Sequence, residues 1–351
     1  MKARLGDVCT VVSGSTPKST VPEYWDGDIK WITPAELSND TYIINDSARH
    51  ITALGVAKTG LKSFPAGTVI LSSRAPIGKT AIAGCEMFCN QGFKNLICSE
   101  KIDSKYLYYF LSGKTDYLNS LGRGATFKEI SKAIVENIEI PLPEVEEQKR
   151  IAARFERLLR LIQLQKAELE ELDKLVKSRF IELFGDPETN PKGWTRQRLD
   201  QICENLDSRR VPITSTDRKA GNYPYYGASG IVDYVKDYIF DEDILLISED
   251  GANLVMRSTP IAFSVSGKVW VNNHAHVVRF ESKATQKYIE ICFALTDISG
   301  SITGTAQPKL NQAKLNAMMF CVPPIELQEH FATFVEQTDK SKLCGRMEVA
   351  A

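Results

Sequence analysis

Four short stretches of this chain carry residue types that could do chemistry. In "VNNHAHVVR" (271–279), His274 and His276 stand two apart, and on a strand that spacing puts both imidazoles on one face. Two ligands for a metal ion could sit that way, but no third partner is evident, so they read equally as polar surface or as donors to a ligand. "WDGDIKW" (25–31) ends in the Asp-x-Lys of metal-dependent nucleases, yet one acid pair and a lysine at a turn is most simply a turn. "APIGKT" (75–80) looks like a phosphate loop until its first glycine is sought five residues before Gly78, where Ser73 stands. The eight cysteines form no Cys-x-x-Cys pair, and Cys85 and Cys89, the closest two, have no histidine nearby to complete a zinc set. Neither G-x-G-x-x-G nor an asparagine-proline-proline-aromatic run occurs. No catalytic constellation, metal site or self-contained methyltransferase is expected, and the thiols are expected to be reduced.

Charge is informative only locally. The net charge is −1, which by composition does not make a basic nucleic-acid binder. Between Ala53 and Lys94, however, five Lys/Arg face the single acid Glu86, and between Ser208 and Lys219 four face the single Asp217. The acidic stretch Asp237 to Asp250 offsets them. Any one such cluster is most simply a solvated face; matching positions in two repeats carry more.

The elements that would position these residues come in two copies. "EIPLPEVEEQKRIAARF" (139–155) and "MFCVPPIELQEHFATFV" (319–335) share a strand-like run, a proline, an acidic-aliphatic turn, a glutamine and a helix start. Pro143 aligns with Pro323, Gln148 with Gln328 and Phe155 with Val335, at a constant offset of 180. "RLGDVC" (4–9) matches "RLDQIC" (198–203), "CNQGFKNLI" (89–97) matches "VNNHAHVVR", and Gly124 falls over Gly304. The 351 residues, 43% hydrophobic and 25% charged, suit two folded domains. Nothing approaches the roughly 20 apolar residues that cross a bilayer, and the start lacks a long apolar leader, so a cytoplasmic protein is expected.

Between the copies, apolar residues at Ile151, Phe155, Leu158, Ile162, Leu169, Leu172 and Val176 alternate in steps of three and four, a heptad seam with Gln165 filling one position. Nine acids and nine bases between 144 and 183 cancel, as on a solvated coiled-coil exterior. The helix is expected to begin just after Pro143 and to stop at Gly185, and 40 residues at 1.5 Å each span about 60 Å, the length of a spacer. After Val335 the seam fails at "TDKSKLCGRMEVAA", so a second helix is expected to be truncated. Strands are expected over 67–74, 241–250, 268–280 and 134–142, and helices over 104–112 and 285–295. The expected class is α+β: tandem mixed α/β domains over 1–143 and 185–324, a coiled-coil spacer over 144–184, and a truncated second helix with its tail over 325–351.

The joint, the spacer "LDKLVKSRFIELFGDP" (172–187), "PYYGASGI" (224–231) and the "NQGF" and "NNHAH" turns together resemble the specificity subunit of Type I restriction-modification systems, from residue 1 to about 340. The resemblance implies two target recognition domains, each reading half of a bipartite duplex DNA site, joined by helices that fix the spacing and dock methyltransferase subunits. It implies no catalysis in this chain, with S-adenosylmethionine, ATP and magnesium in partner subunits and restriction subunits joining through the complex. The weak second helix adds self-association through the spacer as a further expectation. Under that resemblance, affinity comes from Lys/Arg on phosphates and specificity from base-edge contacts. The candidates in the first half are Ser73, Arg74, Lys79, Asn90, Gln91, Lys94, Arg123 and Lys128. Those in the second are Arg209, Arg210, Lys219, Tyr225, Tyr226, Ser229, Asn272, Asn273, His274, His276 and Lys309. Asn90 and Asn272 are equally turn formers, and Tyr225 and Tyr226 equally core aromatics. The competing readings are a coiled-coil adaptor without DNA binding and an enzyme using "WDGDIKW".

Overall fold

A computed structural model describes residues 2–350 except 39, 40, 75, 125–127 and 305, and side chains as far as residue 343. Contacts divide the chain into two units, Met1–Leu161 and Ile162–Ala351. Each is a mixed α/β domain. No helix among the described residues is long and apolar enough to cross a membrane.

Each unit is closed by the same device. In the first, Lys2–Arg4 pairs antiparallel with Glu139–Pro141; in the second, Arg196–Arg198 pairs with Met319–Cys321. The strand that opens a unit is thus hydrogen-bonded to the strand that leads into its long helix. The glutamine of the joint locks that helix start. Gln148 is buried; its Nε2 donates to Pro143 O at 2.8 Å and to Lys101 O at 2.9 Å, while its Oε1 accepts from Asp103 N at 2.9 Å. Gln328, equally buried, donates to Pro323 O at 2.7 Å. A proline carbonyl that cannot enter the helix ladder is satisfied from inside the first turn, which explains why Pro and Gln repeat together.

The N-terminal unit holds a five-stranded sheet (Cys9–Ser13, Lys94–Cys98, Val69–Ser73, Ile77–Ala83, Ile43–Ile44 in spatial order) and a three-stranded one (Arg49–Ile51, Trp25–Ile32, Phe88–Cys89). The C-terminal unit holds two four-stranded sheets. One runs Glu204–Asn205, Ala275–Arg279, Ile244–Ser248, Ala262–Val265, and the other Gly230–Val235, Ala220–Gly227, Lys268–Val271, Phe240–Asp241. Helices Ser104–Ser112 and Lys283–Leu295 fall where the sequence places them.

Two expected strands are corrected. The run 268–280 is two strands, Lys268–Val271 and Ala275–Arg279, belonging to different sheets and broken by the Asn272–His274 turn. The run 134–142 begins instead as helix Lys132–Glu136, because Ser131 caps it by accepting from Ile134 N; only Glu139–Pro141 is extended.

The central helix is Val145–Phe184 and the terminal one Ile325–Ala350. Gly185, at φ +80°, ends the first. In the C-terminal unit Val176, Phe180 and Phe184 pack with Phe331 and Val335, and Asp173 pairs with Lys342 at 2.7 Å. Partners ascend along one helix as they descend along the other, so the pair is antiparallel. At 26 residues the terminal helix is shorter than the 40 of the central one, but it does not stop where its apolar seam does. The ion pairs Glu336–Lys340 and Asp339–Lys342 support the turns after Val335. Along the central helix, Ile151 is half-buried beside the N-terminal core and Ile162, Leu169 and Leu172 are half-buried. Phe155 and Leu158 are exposed, at 48% and 50%, although Phe155 stacks on Tyr109.

Candidate nucleic-acid interface

The short motifs do not assemble into reactive centres. "WDGDIKW" is a bulged strand: Trp25 and Ile29 both oppose Ile51, Trp25 and Trp31 meet edge-to-face at 5.1 Å, and Lys30 donates to Asn45 O at 2.7 Å. Asp26 and Asp28 are exposed, and neither forms an ion pair with Lys30 among the described residues. The seven described cysteines are free, and burial pushes the Cys89 thiol up to about 12. His274 and His276 do not share a site. His274 is half-exposed and its Nδ1 lies 2.9 Å from both Asp250 oxygens; His276 is buried, 2.6 Å from Asp207.

What the two units share is one backbone frame carrying different side chains. In the N-terminal unit Ser73 N donates to Gly92 O (2.7 Å), Ile130 N to Ser73 O, and Arg74 bridges Glu129. In the C-terminal unit Glu249 N donates to His274 O (2.9 Å), Leu310 N to Glu249 O, and Asp250 bridges Lys309. This equates Ser73 with Glu249, Arg74 with Asp250, Gly92 with His274, Lys94 with His276 and Glu129 with Lys309. The turn between the strands is also common. Asn90 Oδ1 accepts from Gly92 N, and Asn272 Oδ1 from His274 N, both at 2.8 Å. Both asparagines are therefore turn-formers, the Asx geometry anticipated as their alternative.

At the floor of each frame lies an ion-pair cluster of opposite construction. Lys94, buried, bonds Ser73 Oγ at 3.3 Å and Glu129 at 3.1 Å. In the other unit the buried His276 donates from Nδ1 to Asp207 and faces Leu310 O from Nε2 at 2.7 Å. Arg210 joins Glu249 (2.7 Å), Asp207 (3.3 Å) and Ala275 O (2.8 Å), and Lys309 joins Glu249 at 3.1 Å. Burial alone would raise the Asp207 carboxyl, but the His276 hydrogen bond and charge, the Val277 N–H and Arg210 hold it below its ordinary value. Glu249 is likewise lowered against its burial, by Arg210, His276 and Lys309. Ligand atoms of Asp207, Glu249 and His276 lie within 4.8 Å of one another, yet Arg210 and Lys309 already neutralise the carboxylates, so the cluster is a salt-bridge network.

The candidates now sort by commitment. Ser73, Lys94, Tyr225 and His276 are buried with internal partners; the Tyr225 hydroxyl exchanges bonds with the Ile213 backbone. Lys79 is tied to Leu37 O. Arg209 pairs with Glu242 and covers the Phe240 ring, and Tyr226 packs on Phe263. Left toward solvent are Arg123, Lys128 and Gln91, whose Oε1 accepts from Thr16 Oγ1 at 2.5 Å, with Arg74 half-buried, in the first unit, and Lys219, Ser229, Asn273 and His274 in the second. Among the described residues the charged ends of Arg74, Arg123, Lys128 and Lys219 have no ion-pair partner. In the second unit, Ser229, Asn273 and His274 converge on a cleft of about 650 Å³ whose walls include Arg218, Val232 and Asp250. Sequence reasoning had not singled out these three. Val232 is an exposed apolar residue inside a strand, and the role of Asp250 depends on a partner 24 positions away.

Comparison with known proteins agrees with this duplicated architecture. The Type I restriction modification DNA specificity domain matches residues 1–174 and 191–344. The Type I restriction enzyme MjaIX specificity subunit of Methanocaldococcus jannaschii is 31% identical over 95% of this chain and 85% of its own length. The EcoprrI specificity subunit of Escherichia coli is 24% identical over 95% and 86%. A crystal structure of the Type I restriction-modification S subunit from M. genitalium superposes with a TM-score of 0.59 at 16% identity, over all of this chain and 92% of that one. This chain therefore belongs to the Type I restriction modification DNA specificity domain family and carries the domain twice.

Proposed function

We propose that each unit reads one half of a bipartite duplex DNA target and that the two long helices dock methyltransferase subunits and fix the half-site spacing. The observation that carries this reading is the shared frame with exchanged side chains. Arg74 and Gly92 in one unit stand where Asp250 and His274 stand in the other, on corresponding backbone hydrogen bonds. A constant scaffold with variable contact positions is what two unlike half-sites at a fixed separation require, since half-sites about one helical turn apart lie roughly 34 Å from one another. The uncharged readers Gln91, Ser229 and Asn273 suit base edges, and Arg74, Arg123, Lys128 and Lys219 suit phosphates.

The chain itself supplies recognition, not catalysis. S-adenosylmethionine, ATP and magnesium belong to the methyltransferase and restriction partners. The exposed Phe155, Leu158, Leu161 and Leu164 of the central helix favour a protein partner there. The test is co-expression with the cognate methyltransferase in a methylation-free host, followed by genome-wide mapping of methyladenine. A split motif with two unlike halves and a fixed gap is expected. Co-purification without any motif would favour a coiled-coil adaptor instead.

A further inference from the structure

The cleft of the C-terminal unit has walls of unequal character. Its one guanidinium, Arg218, is occupied: it pairs with Asp233 at 3.3 Å and lies over the Tyr225 ring at 4.5 Å. No unpaired cation among the described residues lines it, so it is poorly suited to a phosphate. Asn272, 6% exposed, accepts from His274 N at Oδ1 and leaves Nδ2 without a partner among the described residues, on the wall of the cleft. Val232 supplies an apolar wall, its Cγ2 placed where a Cβ on Gly227 would be only 2.7 Å away. Asp250 accepts from His274 Nδ1 through both oxygens, which places a ring hydrogen on Nδ1, and in the neutral ring the lone-pair acceptor is then Nε2.

Resting on the reading that this unit binds duplex DNA, we propose that His274 is a specificity-determining residue which accepts a hydrogen bond from an exocyclic amino group on a base edge, with Asp250 as its positioning residue. Only adenine N6 and cytosine N4 offer such a donor in the major groove. The equivalent positions in the N-terminal unit are Gly92 and Arg74, so the contact belongs to one half-site alone.

The test is selection from a randomised duplex pool by the complex of this chain with its methyltransferase, using the wild type, His274→Ala, His274→Gln and Asp250→Asn. The wild type should enrich a split sequence. His274→Ala should lower selectivity roughly tenfold or more at a single base pair of one half-site, the other half unchanged. Gln, which retains an amide acceptor, should restore part of that preference. Asp250→Asn should weaken the same position by less, with an unchanged melting temperature. A split sequence still selected equally at every position by His274→Ala overturns the assignment and leaves two-domain reading intact. If the wild type binds that base pair equally well after its exocyclic amino group is removed, with purine in place of adenine or pyrimidin-2-one in place of cytosine, the acceptor role is overturned. No enrichment by the wild type overturns the DNA reading, and this inference with it.

Discussion

Asp207→Ala should be among the most damaging single changes in the C-terminal unit, although no DNA contact is assigned to it. Its carboxylate is 5% exposed, accepts from His276 Nδ1 at 2.6 Å and Val277 N at 2.8 Å, and lies 3.3 Å from Arg210. Alanine orphans two buried donors, each costing about 1–3 kcal/mol, and breaking one partner out of a buried ion-pair network costs about 3–5 kcal/mol in all. For a unit of this size about 4 kcal/mol lowers the melting temperature by about 10 °C. The assay is urea denaturation with hydrogen exchange read at Ala275–Arg279, which reports this unit alone. The pH dependence follows from the lowered Asp207 and Glu249 carboxyls. A carboxylate lowered in the fold contributes stability that is complete above its unfolded value near 4, and that is lost as pH falls through the folded value. The gap between wild type and variant should therefore be flat from pH 7 to about 5 and narrow below about 4. A loss under about 1 kcal/mol at pH 7 would refute the account of the network.

The two joints should differ in sensitivity. Gln148→Ala removes three buried hydrogen bonds and should cost about 2–4 kcal/mol, whereas Gln328→Ala removes the single described bond to Pro323 O and should cost about 1–2 kcal/mol, both read by denaturation. In DNA binding, Arg74→Ala and Lys128→Ala should each reduce the salt slope of log K by about one ion without changing sequence preference. Lys94→Met should leave that slope unchanged, because its ammonium is spent on Glu129 and Ser73.

The architecture was legible because its signals are periodic. The 180-residue offset of Pro143 and Pro323, the heptad seam and the cap at Gly185 each follow from backbone chemistry that local sequence encodes. The interface was less legible for a physical reason. A lysine or arginine in a loop looks like a phosphate contact until its counter-ion is known, and the counter-ions come from far along the chain. Glu129 lies 35 residues from Lys94, and Glu249 lies 39 from Arg210. The histidine pair failed similarly. Spacing of two implies one face only within one unbroken strand, and Ala275–Arg279 begins between the two residues.

The turn asparagines separate scaffold from reader within adjacent positions. Asn272 closes an Asx turn that aims the next two residues, whereas Asn273 projects to solvent with no described side-chain partner. If the frame and the readout are physically independent, Asn273→Ala should change stability by less than about 0.5 kcal/mol, as surface substitutions do. Asn272→Ala should cost about 1–2 kcal/mol, since it leaves the His274 N–H without its acceptor. In a competition of duplexes by the methyltransferase complex, the order should invert in kind. Asn273→Ala should alter preference at one position of one half-site, and Asn272→Ala should weaken binding to that half-site broadly, because every contact on its turn shifts. Equal stability losses for the two variants, or equal changes in preference, would mean that frame and readout are one structure. The exchange of Arg74 and Gly92 for Asp250 and His274 on equivalent hydrogen bonds would then need another explanation than divergence at constant geometry.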